Sequence, residues 1–217
     1  MEHTDNRQVV TSVAQYSAVL NAADGKGLHW ATDINAELPI KMKPEGPGAR
    51  PPTTVPRMFM NQVKKSGNKP ALFVQRGGRA LSWTWNQYQN EAMNFAKALA
   101  HLSVNERSAC AIMGFNSPEW VFGFMGGIMY NLVVTGIYTT NAPDACFYQA
   151  DHSESEVILV ENNDLLKRFD LSTLPRVKAI VVWGEAELPA AAKGDQRVFL
   201  WKDFMKLGAA VKDDFIL

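Results

Sequence analysis

From residue 55 onward, hydrophobic positions recur in short blocks whose period alternates between two and about 3.6. Dense aliphatic runs at 109–113, 132–138, 156–161, 177–183 and 198–201 read as strands. Between them, apolar residues spaced by three and four predict helices. The order over 109–141 is strand, helix, strand, a βαβ unit, and the alternation continues to residue 207. This pattern predicts an α/β fold, a parallel sheet with flanking helices and right-handed crossovers. Ligand sites in such a sheet lie beyond the carboxyl ends of its strands.

Local signals sharpen the boundaries. Thr54 is placed as the cap of a helix through Lys65, packed through Phe59 and Val63 and stopped at Gly67. The apolar runs 71–75 and 80–83 flank Arg76-Gly77-Gly78-Arg79, whose glycines supply the positive φ of a β-hairpin. Thr84 with Gln87 forms a capping box. Its helix sets Tyr88, Ala92, Phe95, Leu99 and Leu102 on one core-facing stripe. Ser117-Pro118 starts the central helix, with Asn116 and Glu119 as an alternative cap pair and Glu119 favoured there by the helix dipole. Asn131 tolerates the left-handed stop that helix needs. Further helices are placed at 143–152, 164–169 and 202–207. Before residue 55 the pattern is weak: a short helix at 10–23, then Pro39, Pro44, Pro47, Pro51, Pro52 and Pro56, which mark an extended connector. The chain therefore divides into an extension at 1–54 and a domain at 55–217.

Composition narrows the classes. Twenty-two basic residues balance 22 acidic ones, so no global attraction to nucleic acid exists. Cys110 and Cys146 are too few for a metal or disulfide framework, and Cys110 reads as a buried thiol. No secretory pattern opens the chain, which makes the cytosol the default location. Nineteen uncharged positions, 120–138, approach the length of a membrane span and contain Gly123-x-x-x-Gly127. Asn131 and the β-branched run 133–135 favour a buried helix followed by a strand, with the glycines letting the helix approach the sheet.

The chain holds no Walker-type loop, G-x-G-x-x-G turn, H-E-x-x-H helix or G-x-S-x-G elbow. Gly77-Gly78 lacks a following helix and is a poor phosphate site. His3, His29, His101 and His152 stand in unrelated contexts, His101 as an exposed residue at a helix end. His152-Ser153-Glu154 reads as a polar connection. These residues by themselves specify an α/β domain and no reaction.

A resemblance adds more. Gly114-Phe115-Asn116-Ser117-Pro118-Glu119-Trp120, followed by Gly136-Ile137-Tyr138-Thr139-Thr140-Asn141-Ala142-Pro143-Asp144-Ala145-Cys146, resembles the N-terminal part of long-chain acyl-CoA synthetases of the bubblegum-type branch. Ser82-Trp83-Thr84-Trp85, Ile158-Leu159-Val160-Glu161-Asn162 and the Trp201, Phe204, Met205 and Gly208 tail extend it over about 55–208. The resemblance implies an adenylate-forming enzyme's incomplete large domain. The family activates a fatty acid with ATP and Mg²⁺ to an acyl-adenylate, then passes the acyl group to CoA. Its Ser/Thr/Gly-rich phosphate loop and lysine-bearing lid have no counterpart in these residues. This implies a fragment ending before that loop and catalytically incompetent, or alternatively a stand-alone non-catalytic module. Neither a catalytic, a cofactor-binding nor a metal residue is assigned: Asn116, Glu119, Tyr138 and Thr139 fall near the family's cleft, yet capping and packing explain them equally. Fatty acid, ATP and CoA are the implied partners of the whole enzyme. Peripheral contact with the endoplasmic reticulum or another membrane is compatible with the resemblance. The unpaired sheet surface invites a protein partner or poor solubility.

Overall fold

A computed structural model describes residues 42–212. The helix expected at 10–23 lies outside them. By internal contacts the chain divides into two units, Met1–Pro52 and Thr53–Leu217. The described part of the first contains a 3₁₀ turn, Pro47–Ala49.

The second unit opens with helix α1 (Val55–Ser66), capped by Thr54, whose Oγ1 accepts the Arg57 N–H. Gly67 follows it as the expected stop, in right-handed conformation at φ −42°. A Cβ there would fall 2.5 Å from Oδ1 of the exposed Asn86, whose side chain would have to swing aside. Strands β1 (Pro70–Arg76) and β2 (Arg79–Thr84) form the antiparallel hairpin, turning at Gly77 and Gly78 with φ of 54° and 74°. Helix α2 (Trp85–His101) begins with both bonds of the capping box.

Five parallel strands follow: β3 (Ala109–Met113), β4 (Val133–Ile137), β5 (Ser155–Val160), β6 (Ala179–Val182) and β7 (Val198–Leu200), in the spatial order β4-β3-β5-β6-β7. Helices α3 (Pro118–Met129), α4 (Pro143–His152), α5 (Asn163–Leu166) and α6 (Trp201–Ala209) connect or follow them. Two ends differ from the sequence reading: Trp201 opens α6 instead of closing β7, and α5 starts under an Asn162 cap. Ser117 caps α3 as expected, accepting the Trp120 N–H at 3.1 Å.

The strands β3, β5 and β6 are buried on both faces, as a covered parallel sheet requires. One face packs Ala111, Met113, Ile158 and Ile180 against Cys146, Ala150 and Leu166. The other packs Cys110, Ile112, Leu159 and Val181 against Phe95, Leu99, Phe204 and Met205. A third cluster joins α1, α2 and α3 through Phe59, Tyr88, Phe122 and Met129, with Trp83 of the hairpin resting on it. Gly123 and Gly127 do face the sheet, towards Leu159 and Val134, while the adjacent Gly126 faces α2. Asn131 adopts φ 65° after α3, the left-handed stop that its side chain tolerates. No described helix is long and apolar enough to cross a membrane.

Candidate functional site

The strand order fixes where a ligand cleft can form. From β3 the chain moves through α3 to β4 on one side, then returns over β3 to reach β5 on the other. Connections leaving neighbouring strands in opposite directions open a crevice at their carboxyl ends. Here that crevice lies above β3 and β5, and the hairpin closes it from outside. The result is a cleft of about 500 Å³. Arg76 from β1, Asn116 and Ser117 after β3, Glu161 after β5, and Trp183 and Glu185 after β6 supply its wall.

Each wall residue is held by local chemistry. Glu161 Oε2 accepts the Phe115 N–H at 2.9 Å, joining the ends of β3 and β5. Glu185 Oε1 accepts the Asn163 N–H at 3.1 Å. Gly114 permits close packing, since a Cβ there would meet the Trp183 ring and come within 2.7 Å of Glu161 Cβ. The Arg76 guanidinium donates two parallel bonds of 2.6 Å to the Glu119 carboxylate in the first turn of α3. This bidentate bond to Glu119 raises the Arg76 pKa; partial burial opposes it, and the charges of Glu119 and Glu161 add to it. Burial, and then the charge of Glu119, push the Glu91 carboxyl on α2 upward.

A second cavity of about 330 Å³ sits beside the first, over β3 and β4, between Asn116, Trp120 and Tyr138. Asn116 borders both cavities, and Tyr138 stands 79% exposed at the rim of the second. Glu119 is buried against Arg76, while Thr139, half-buried in the turn after β4, lines neither cavity. The structure thus groups Asn116 and Glu119 around the crevice and leaves Thr139 outside it. Sequence reasoning missed Arg76, Glu161 and Glu185. For the two glutamates a signal existed, because each follows a buried strand at the carboxyl edge. Arg76 looked like an ordinary turn residue.

This cleft is not built as a triphosphate cradle. Glu161 and Glu185 would repel phosphate, and Glu119 already engages the Arg76 guanidinium. The Gly77-Gly78 turn leads into β2 rather than into a helix N-terminus. Among the described residues, no three His, Cys, Asp or Glu side chains are grouped to hold a metal ion. What the geometry offers is a polar cleft walled by the hairpin on one side and by the ends of β3, β5 and β6 on the other.

Comparison with known proteins accounts for the architecture. The family model described as "AMP-binding enzyme" matches residues 59–208. The chain is 33% identical over 187 residues to the long-chain-fatty-acid–CoA ligase ACSBG2 of Gallus gallus, covering 85% of the chain and 24% of that protein. It is also 33% identical over 187 residues to the long-chain-fatty-acid–CoA ligase ACSBG1 of Homo sapiens, covering 85% and 25% respectively. The chain thus spans about a quarter of the length of the curated relatives it matches. Among solved structures, the anthranilate CoA ligase AuaEII in complex with anthranoyl-AMP superposes with a TM-score of 0.59 at 24% identity, over 70% of this chain and 27% of that one. The A-PCP didomain of carboxylic acid reductase from Segniliparus rugosus, in complex with AMP, gives 0.60 at 15% identity, over 72% and 27%.

Proposed function

The chain belongs to the AMP-binding enzyme family, and from that membership we propose that it is the sheet-and-helix scaffold portion of a long-chain fatty acid–CoA ligase. The whole ligase would activate a fatty acid with ATP and Mg²⁺ to an acyl-adenylate, then form the thioester with CoA. The observation that carries this reading is the 33% identity to a long-chain-fatty-acid–CoA ligase, spread over 85% of the chain rather than confined to one motif. The family model's match over residues 59–208 spans the Asn116-Ser117-Pro118-Glu119 cap of α3 and the Glu161 end of β5, which shape the carboxyl-edge cleft.

On this reading, these 217 residues contribute shape and do not carry the chemistry. Adenylation requires groups that hold a triphosphate and offset charge at the transferring phosphate. The cleft instead presents two carboxylates and an internally neutralised guanidinium. Purified chain given ATP, Mg²⁺, palmitate and CoA is expected to release no pyrophosphate and form no palmitoyl-CoA. Sustained turnover above a boiled control would refute the reading that these residues contribute shape alone. Sequencing the transcript past the codon for Leu217 gives an independent test. An in-frame continuation with a Ser/Thr/Gly-rich loop supports the proposal, and a stop codon favours a stand-alone binding or structural module.

A further inference from the structure

We infer that the β1–β2 hairpin is a hinged wall of the carboxyl-edge cleft, held shut by the Arg76–Glu119 ion pair. The hairpin is a sheet of two strands, separate from the five-stranded sheet. It buries little of itself: Phe73 is 68% exposed and Leu81 40%. A two-stranded hairpin is marginally stable in water and takes its order from what it packs against.

Its two ends are anchored differently. At the base, the Trp85 N–H donates to the Lys69 carbonyl at 3.1 Å and the Asn86 N–H to the Gly67 carbonyl at 2.9 Å. The Trp83 ring also meets Phe122 edge-on, with centroids 5.7 Å apart. At the tip, beside the Gly77-Gly78 turn, the tie is the paired bond from Arg76 to Glu119, 43 residues away in sequence. A fixed base and, among the described residues, one polar latch near the tip are the parts of a hinge. Val74, Gln75 and Arg76 line the cleft, so rotation about the base would change its width directly. In the open state Glu119 would remain favoured in the first turn of α3 by the helix dipole. Glu161 is the other acidic residue whose charge acts on Arg76. This device stands on geometry alone and does not depend on the ligase reading.

Hydrogen exchange read by mass spectrometry on the full chain tests it. In Glu119→Gln, amides of the hairpin are expected to exchange about tenfold faster or more, while those of β3 and β5 keep their protection. Arg76→Lys, which keeps the charge but loses the fork, is expected to give a smaller increase in the same peptides. Hairpin exchange unchanged in both variants would overturn the inference. So would loosening of β3 and β5 in step with the hairpin, because the pair would then belong to the global fold rather than to a local hinge.

Discussion

Gly208→Ala isolates a contact that no local pattern specifies. Gly208 sits in α6 where that helix crosses α2, and it is buried. A Cβ built on it comes 2.7 Å from the Asn94 carbonyl carbon and 3.1 Å from the Ala98 nitrogen, and closer still to the Asn94 oxygen. Every obstructing atom is backbone, so relief requires one helix to retreat from the other. That retreat would pull Phe204 and Met205 from the cluster they share with Phe95 and Leu99, and would loosen the stack of Trp201 on Phe95, 5.8 Å between centroids. Forced overpacking costs about 1–3 kcal/mol, and a rigid obstruction belongs at or above the top of that range. Alanine returns about 1 kcal/mol through its better helix propensity. The net expectation is a loss of about 2 kcal/mol or more, which lowers Tm by roughly 4–8 °C for a domain of this size. Urea unfolding followed by tryptophan fluorescence measures the shift in midpoint. Gly194→Ala is the control, since a Cβ there meets nothing within 4 Å, and it should change stability by no more than about 0.5 kcal/mol. Gly208→Ala as stable as the parent, or more stable by the propensity gain, would refute the close helix contact.

Glu156 is 5% exposed and accepts bonds from the Asn105 N–H at 2.8 Å and the Asn105 Nδ2–H at 2.5 Å, with Lys178 Nζ at 2.9 Å. Burial pushes its carboxyl up, but the Asn105 backbone bond, Lys178 and the Asn105 side chain outweigh it and hold the group below its ordinary value. A carboxyl depressed by folding stabilises the fold above its unfolded pKa, about 4.3, and that contribution fades as pH falls through the lower folded value. Glu156→Gln should therefore cost about 1–3 kcal/mol at pH 7 and progressively less below about pH 4, as read from urea midpoints across pH; a pH-independent cost would contradict the ion-pair account. Cys110 and Cys146 are both buried, with the Cys110 thiol pushed up to about 12 by burial and Cys146 also raised, chiefly by burial. An aromatic disulfide reagent at pH 8 should label neither in the folded chain and both in guanidinium; fast labelling of either under native conditions would show that the sheet faces open readily.

Local chemistry made much of the fold legible in advance. The Thr54 and Ser117 caps, the Thr84–Gln87 box and the paired glycines of the hairpin act over four residues or fewer, and the sequence displays each of them directly. Burial on both faces likewise shows as unbroken aliphatic runs in β3, β5 and β6, and these were enough to predict a parallel sheet. Gly67 was legible as a helix end, and the helix does stop there, with the glycine backbone right-handed.

The site was far less visible. Asn116 and Glu119 stood out because they flank a helix start, yet the partner that gives Glu119 its role is Arg76, on a hairpin 43 residues earlier. Glu161 became a wall residue only once the order β4-β3-β5-β6-β7 placed the crevice between β3 and β5. The sequence by itself determined which segments form strands and helices and where they start, because those choices rest on periodicity and capping within a few residues. Only the tertiary structure decided which strands lie side by side, which backbones touch at Gly208, and which charges meet, because such contacts join distant segments and leave no repeating trace along the chain.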